Sequence, residues 1–371
     1  MPGYAINAVG RRRSGSWRFK ALGIGFSLVV GAAAGAGELP ADLGSRLTQG
    51  YIAPAMHGFQ HSADQLHASL QPWCAAPSDK GTKQIEEQFK ELVLAWSGIE
   101  FLRFGPLVAD HRFERTYFWP DPRGLTLRQT QSLLADPAGI PDALALSKHS
   151  VAVQGLPALE YMLYRPNGLL ASQNGDSFAP ACAYAVSISG NLAAIGAQLA
   201  SAWGEEGDYA QLFSQPSPAN SFYRSTNEVA NEAIKAISSG LQFARDVKLL
   251  PVLGDDASRA KYKRAPFWRS GLTASSMAAN ADGLLRFYQA GAYRYSVDEA
   301  WVEGSVRDEL TRVRDNFAGI SGNIEQLASS EEMYRQLTLG AILLKNAKSL
   351  VDEDLAPALG VRIGFNALDG D

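Results

Sequence analysis

Histidine and cysteine are scarce in this chain, with five and two in 371 residues. No His-Glu-x-x-His pair occurs, which removes the usual zinc-peptidase helix. His111-Arg-Phe-Glu114 is a lone His-x-x-Glu match in a loop-like stretch. No Gly-x-Ser-x-Gly elbow and no phosphate loop is present, so hydrolase and nucleotidase chemistry of those kinds has no foothold. Alternating strand patterns of useful length are missing too. Basic residues are in the minority, 34 against 38 acidic. Five of them (Arg11, Arg12, Arg13, Arg18 and Lys20) fall within residues 1–37, which hold no acid. The remainder has 29 basic against 38 acidic residues, a net charge of −9. An acidic protein without a basic patch is a poor nucleic-acid binder.

The N-terminus reads as an export signal. The basic cluster precedes an apolar run, Ala21 to Val30, and then the small residues Gly31 to Gly37. That is the order of a secretory signal, and the apolar run is short for a bilayer span. A signal peptide over 1–37 is expected, cut near Ala36 or Gly37, for the general secretory route. No twin-arginine pattern follows the Arg run, and no Cys marks a lipoprotein. The alternative is an uncleaved inner-membrane anchor, the one route to membrane association. The expected location is periplasmic. In that oxidising compartment Cys74 and Cys182 read as a disulfide closing a loop of more than 100 residues, with two buried thiols as the alternative.

What the chain has in quantity is helical periodicity. Ile85, Phe89, Leu92, Trp96 and Ile99 step by 4, 3, 4, 3, and Ala185, Ile188, Leu192, Ile195, Leu199 and Ala202 by 3, 4, 3, 4, 3. Leu272, Ser276, Ala279, Leu284 and Phe287 follow a similar stripe. Residues 221–248, 301–328 and 331–351 also read as long helices. Asp42 or Ser45 is a candidate cap for the first helix, which Pro54 either tolerates or bends. Loops are expected at 75–82, 105–124, 136–142, 165–180, 204–220 and 250–270. The polar stretch 165–180 is the best divider, with a first helical bundle over 41–165 and a second over 180–355. The expected fold is all-α, two tandem four-helix bundles from an internal duplication. Phe101-Leu-Arg103-Phe-Gly105 echoes Phe267-Trp-Arg269-Ser-Gly271.

Some residues break the pattern. Extending the stripe of 85–99 by four lands on Arg103, a charge that needs an acidic partner, a bound anion or an escape to water. In 143–164, Val153, Leu156, Glu160 and Leu163 share a face, which turns a carboxylate inward. Gly155 and Pro157 just before it suggest a kinked helix. The stretch after Arg103 carries His111, Arg112, Glu114, Arg115, Tyr117, Trp119 and Asp121, a connection long enough to be a binding loop or a lid over the bundle end. His57, His61 and Asp64 lie at i, i+4, i+7, with His67 just beyond. They are candidates for a zinc or iron ion, or simply a solvated face.

Gly155-Leu-Pro-Ala-Leu-Glu160 resembles the imelysin family, peptidase family M75, whose hallmark is Gly-x-His-x-x-Glu. Here Pro157 stands where the His belongs. Trp96 with Phe101-Leu-Arg103-Phe-Gly-Pro, the Phe-Trp-Pro-Asp121 segment and Phe267-Trp-Arg269-Ser-Gly also match. The two Cys sit as in the iron-regulated, imelysin-like envelope proteins. The resemblance covers most of residues 45–355. It implies a duplicated helical bundle, an envelope location, a link to iron acquisition, and a site where the halves meet around the motif helix. A single Glu without its imidazole cannot make the zinc site that the peptidase label supposes. The expected site is therefore a ligand-binding one: Glu160, Arg103, Arg112, Trp119, Asp121, Gly155 and Arg269. It would take a small ligand, a metal chelate or an envelope protein partner. The alternatives are a metal-dependent peptidase using His57, His61 and Asp64, or a scaffold that docks a partner through the aromatic loop.

Overall fold

A computed structural model describes residues 37–362 and 364. The expected signal peptide thus lies outside the described residues, apart from Gly37. Residues 37–362 fall within one compact unit. It is all-α: every regular element among the described residues is helical.

The helices that frame the description are α1 (Ala53–Ala75), α2 (Asp79–Ile99), α3 (Arg112–Thr116, a single turn), α4 (Leu125–Ala135), α5 (Leu156–Tyr164), α6 (Phe178–Trp203), α7 (Thr226–Gln242), α8 (Thr273–Gly291), α9 (Trp301–Ala318) and α10 (Glu331–Leu350). The stripes read from the sequence are the buried faces. Ile85, Phe89, Leu92, Trp96 and Ile99 are fully buried on α2, as are Ala185, Ile188, Leu192, Ile195 and Leu199 on α6. α1 lies between α2 and α6, α2 also packs on α8, α8 on α9, and α9 on α10, which in turn meets α7. Helix α6, beyond the polar stretch 165–180, therefore packs on the first helices of the chain. It is long and apolar enough to cross a membrane by composition alone. Its inward stripe is buried here within the core, while Ala183, Ala194 and Ala197 on the other face are exposed.

Local chemistry explains the helix ends. Ser78 Oγ accepts a hydrogen bond from Gly81 N at the start of α2, and Ser225 and Ser330 do the same for α7 and α10, each relieving an orphan N–H. Asp42 precedes the short helix Leu43–Leu47 but does not cap it with its side chain. Its carboxylate instead accepts from Arg46 Nε at 2.7 Å. Pro54 does not break the entry to α1. A wide π-helical turn, Thr48–Ile52, leads into it, and the proline sits within the first two positions of α1.

Two expectations are corrected. The first concerns 143–164, which is not one kinked helix. It is a short turn at Ala143–Leu146, a 3-10 turn at Val151–Val153, and α5, which begins at Leu156 with Pro157 in its first turn. Proline is pre-organised to start a helix there rather than to bend one. The second concerns 105–124, whose first part, 105–116, is short helical turns ending in α3, leaving 117–124 as the loop. The chain passes through Asp110 and His111 with positive φ before α3 can start.

Cys74 and Cys182 form a disulfide with a Cα–Cα distance of 5.9 Å. It joins the end of α1 to the start of α6. The echoed segments around Arg103 and Arg269 end alike. Gly105 has φ +55° and Gly271 φ +71°, a region that a side chain strains.

Candidate functional site

Three segments converge on one cavity of about 190 Å³. The first is the turn from Tyr117 to Asp121. Both Asp121 oxygens accept backbone N–H groups, from Leu125 and Thr126, each at 2.8 Å. The carboxylate thereby caps α4 and anchors the turn that carries Trp119. The second is the start of α5, whose first two turns carry Pro157, Glu160 and Tyr161. The third is the turn from Phe267 to Gly271, ahead of α8. Phe267 has φ +52°, and Thr273 Oγ1 donates to Pro266 O at 2.7 Å, which holds that turn against the helix start.

Glu160 joins the second segment to the third. It is 3% exposed. Its Oε1 accepts from Ser270 N at 3.0 Å and from Ser270 Oγ at 2.8 Å. Burial pushes the carboxyl above its usual range, while the two Ser270 donors and the nearby Arg269 pull it back down. The inward carboxylate read from the helical spacing is thus real, and its partner is Ser270. The serine carried no such signal in the sequence, because the contact spans 110 positions.

Aromatic rings form the walls. Tyr117 stacks on Phe267 at 5.2 Å and on Trp119 at 6.3 Å. The Arg269 guanidinium lies 4.3 Å from the Trp268 ring centre and 5.4 Å from that of Tyr161. Lys263 Nζ is 5.8 Å from the Trp268 ring.

Of the expected binding residues, the fold brings Glu160, Trp119, Asp121 and Arg269 to this cavity. Arg103, Arg112 and Gly155 are elsewhere. Arg103 does not continue the α2 stripe, because α2 ends at Ile99. Its guanidinium lies over Phe113 at 4.1 Å and Phe243 at 4.7 Å. The buried charge at the end of α2 is Glu100 instead. Arg112 is consumed locally: Nε donates to Gln198, Nη1 to the carbonyls of Pro106 and Ala109, and Nη2 to Asp110. Neither arginine neutralises Glu160. Gly155 supports the site from behind. A Cβ there would lie 2.3 Å from Thr116 O and 2.7 Å from Arg115 O, so α5 can reach this depth only with glycine before it. Gly155→Ala is expected to lower stability by about 1–3 kcal/mol, measured by chemical denaturation, because the backbone of α3 must retreat.

Behind the Tyr117 ring lies a buried ion pair. Lys248 and Glu100 are 1% exposed each, and Lys248 Nζ donates to Glu100 Oε1. Asn280 Nδ2 adds a hydrogen bond to the same oxygen at 3.1 Å. Lys248 Nζ is also 5.3 Å from the Tyr117 ring centre. Lys248 sits in a π-helical stretch, Phe243–Leu249, a local widening that the periodicity of 221–248 does not reveal.

The donor set does not fit a metal ion. Glu160 is held by Ser270, Asp121 caps α4, and no imidazole is among the lining residues. His57, His61 and Asp64 stand exposed on α1. Among the described residues no group of three or more His, Cys, Asp or Glu side chains is placed to hold one. One exposed helix fans such residues into water, and among the described residues no second element supplies a further ligand.

The imelysin (peptidase M75) family model matches residues 52–351. An imelysin-like protein from Psychrobacter arcticum 273-4 shares the fold with a TM-score of 0.72 and 22% identity, over 89% of this chain and 99% of that one. A putative iron-regulated protein A precursor from Parabacteroides distasonis ATCC 8503 matches with a TM-score of 0.68 and 12% identity, over 86% of this chain and 96% of that one. No curated protein matches. At these identities the two structures speak for the fold alone, while the family model spans most of the sequence and both motif segments around Glu160 and Arg269: the chain belongs to the imelysin family.

Proposed function

We propose that this is an exported, non-catalytic binding protein of the cell envelope, connected with iron or metal acquisition, whose ligand site is the cavity between the Trp119 turn and the Arg269 turn. The observation that carries the reading is the state of Glu160. The motif carboxylate is engaged by Ser270 and has a proline where the family has its imidazole. It therefore organises a recognition surface rather than a hydrolytic centre. The cavity walls are aromatic, with charged ends nearby, which is how small-ligand sites combine area with orientation. Export is supported by the N-terminal pattern and by the Cys74–Cys182 bridge. The iron connection is supported by the relative described as iron-regulated. Two bundles descended from a duplication, divided near 165–180, would put this cavity close to the join.

The test has two parts. Mass spectrometry and metal analysis of protein recovered from its native envelope should find a retained small molecule. Trp119→Ala, which removes a wall, and Glu160→Ala, which frees Ser270 and loosens the Arg269 turn, should each lower retention about tenfold or more. Far-UV circular dichroism should stay helical in both. Should both variants bind normally and only melt earlier, the cavity is structural and the proposal fails. A stoichiometric zinc and chelator-sensitive proteolysis would favour a peptidase instead.

A further inference from the structure

The unsatisfied groups around the cavity are unevenly divided between donors and acceptors. On the acceptor side, both Asp121 oxygens take backbone N–H groups, and Glu160 takes the two Ser270 donors. On the donor side, the Arg269 guanidinium makes no hydrogen bond to a protein group among the described residues. It lies over the faces of Trp268 and Tyr161, with the Glu160 carboxylate as a nearby counter-charge to which it donates no hydrogen bond. Lys263 likewise touches only rings, those of Tyr262 and Trp268. The Trp119 indole N–H is buried without a partner, as are the hydroxyls of Tyr117 and Thr126, which can donate as well as accept. A half-buried guanidinium without an acceptor is costly unless something supplies one. Cations seated over aromatic faces also leave their hydrogen-bonding edges free.

Size narrows the ligand further. An apolar cavity of about 150 Å³ admits one benzene, and this one measures about 190 Å³. A whole iron chelate or a folded peptide does not fit inside, while one ring with a small substituent does. The flat walls favour a ring over an aliphatic chain.

We infer that the cavity takes a small planar anion: a single aromatic ring bearing a carboxylate or phenolate, its charge on Arg269 with Lys263 beside it, and its ring against Trp119 and Trp268. The same group at the end of a larger molecule, including an aromatic chelator, would present the same chemistry at the cavity mouth. This rests on the binding-protein reading above and specifies its ligand class.

The test is isothermal titration of the full mature chain with benzoate and salicylate. Benzamide serves as the neutral match for shape and acetate as the anion without a ring, and tryptophan fluorescence is recorded in parallel. Benzoate or salicylate should bind about 10- to 100-fold more tightly than benzamide or acetate. Arg269→Gln should erase the preference for the anion, and Arg269→Lys should keep part of it, with thermal melts confirming that both fold. The inference is overturned if benzamide matches benzoate, if no aromatic anion binds at millimolar concentration, or if Arg269→Gln leaves the preference intact. Loss of this inference alone leaves the site in place when native protein still retains a neutral or cationic ligand that Trp119→Ala releases. Loss of the site itself shows as indifference to both Trp119→Ala and Glu160→Ala.

Discussion

Replacing Lys248 with methionine should cost about 3–5 kcal/mol of stability, because it leaves Glu100 buried and without its counter-charge. Both side chains are inaccessible to water. Burial pushes the Glu100 carboxyl up and the Lys248 amine down, and their mutual attraction opposes both shifts. In the variant only the burial remains for Glu100, so its carboxyl rises further. A carboxyl raised in the folded state favours folding below its ordinary value of about 4.3 and loses that contribution as pH climbs through the folded value. The deficit against the native chain should therefore be largest at neutral pH and should shrink on acidification. The double variant Lys248→Met with Glu100→Gln should recover most of the loss, since no uncompensated charge is left. Urea denaturation at several pH values measures all three. A single variant as stable as the native chain at pH 7 would mean that the pair is not buried as described. Because Lys248 lies beneath the Tyr117 ring, the single variant should also perturb the cavity floor, read as a change in Trp119 fluorescence.

The second large effect is expected at Cys74 and Cys182. The bridge spans 108 positions, and closing a loop of that length is worth up to about 4–5 kcal/mol through the entropy of the unfolded chain. Cys74→Ala with Cys182→Ala should lose about 3–5 kcal/mol and at least about 5 °C in Tm. A strong reductant should produce the same loss in the native chain. The double variant should still fold, because the buried faces of α1, α2 and α6 do not depend on the sulfurs. Equal melting of oxidised, reduced and alanine forms would refute this account.

Helix type and inward faces were legible because they depend on spacing alone. A 3.6-residue period places Ile85, Phe89, Leu92, Trp96 and Ile99 on one stripe whatever the neighbours are, and all five are buried. The same arithmetic turned Glu160 inward, and an oxidising compartment was enough to suggest Cys74 with Cys182. Local reasoning failed where a helix end had to be located. Whether Arg103 continued the α2 stripe depended on where α2 stopped, and it stops at Ile99, so the inward charge is Glu100. Pro157 reads as a kink only if 143–164 is a single helix, and α5 starts at Leu156.

Residue type and short-range period are enough for an all-α chain, its buried stripes, an inward Glu160 and the imelysin pattern. Only the tertiary structure decided the partners: Ser270 for Glu160, Lys248 for Glu100, aromatic faces for Arg103, and a shared cavity for Trp119 and Arg269. Apart from Arg103 over the nearby Phe113, those pairings join positions 110 or more apart, where no periodicity reaches. The outcome is set by which helices pack, how deeply Gly155 lets α5 approach α3, and which polar groups burial forces to find one another.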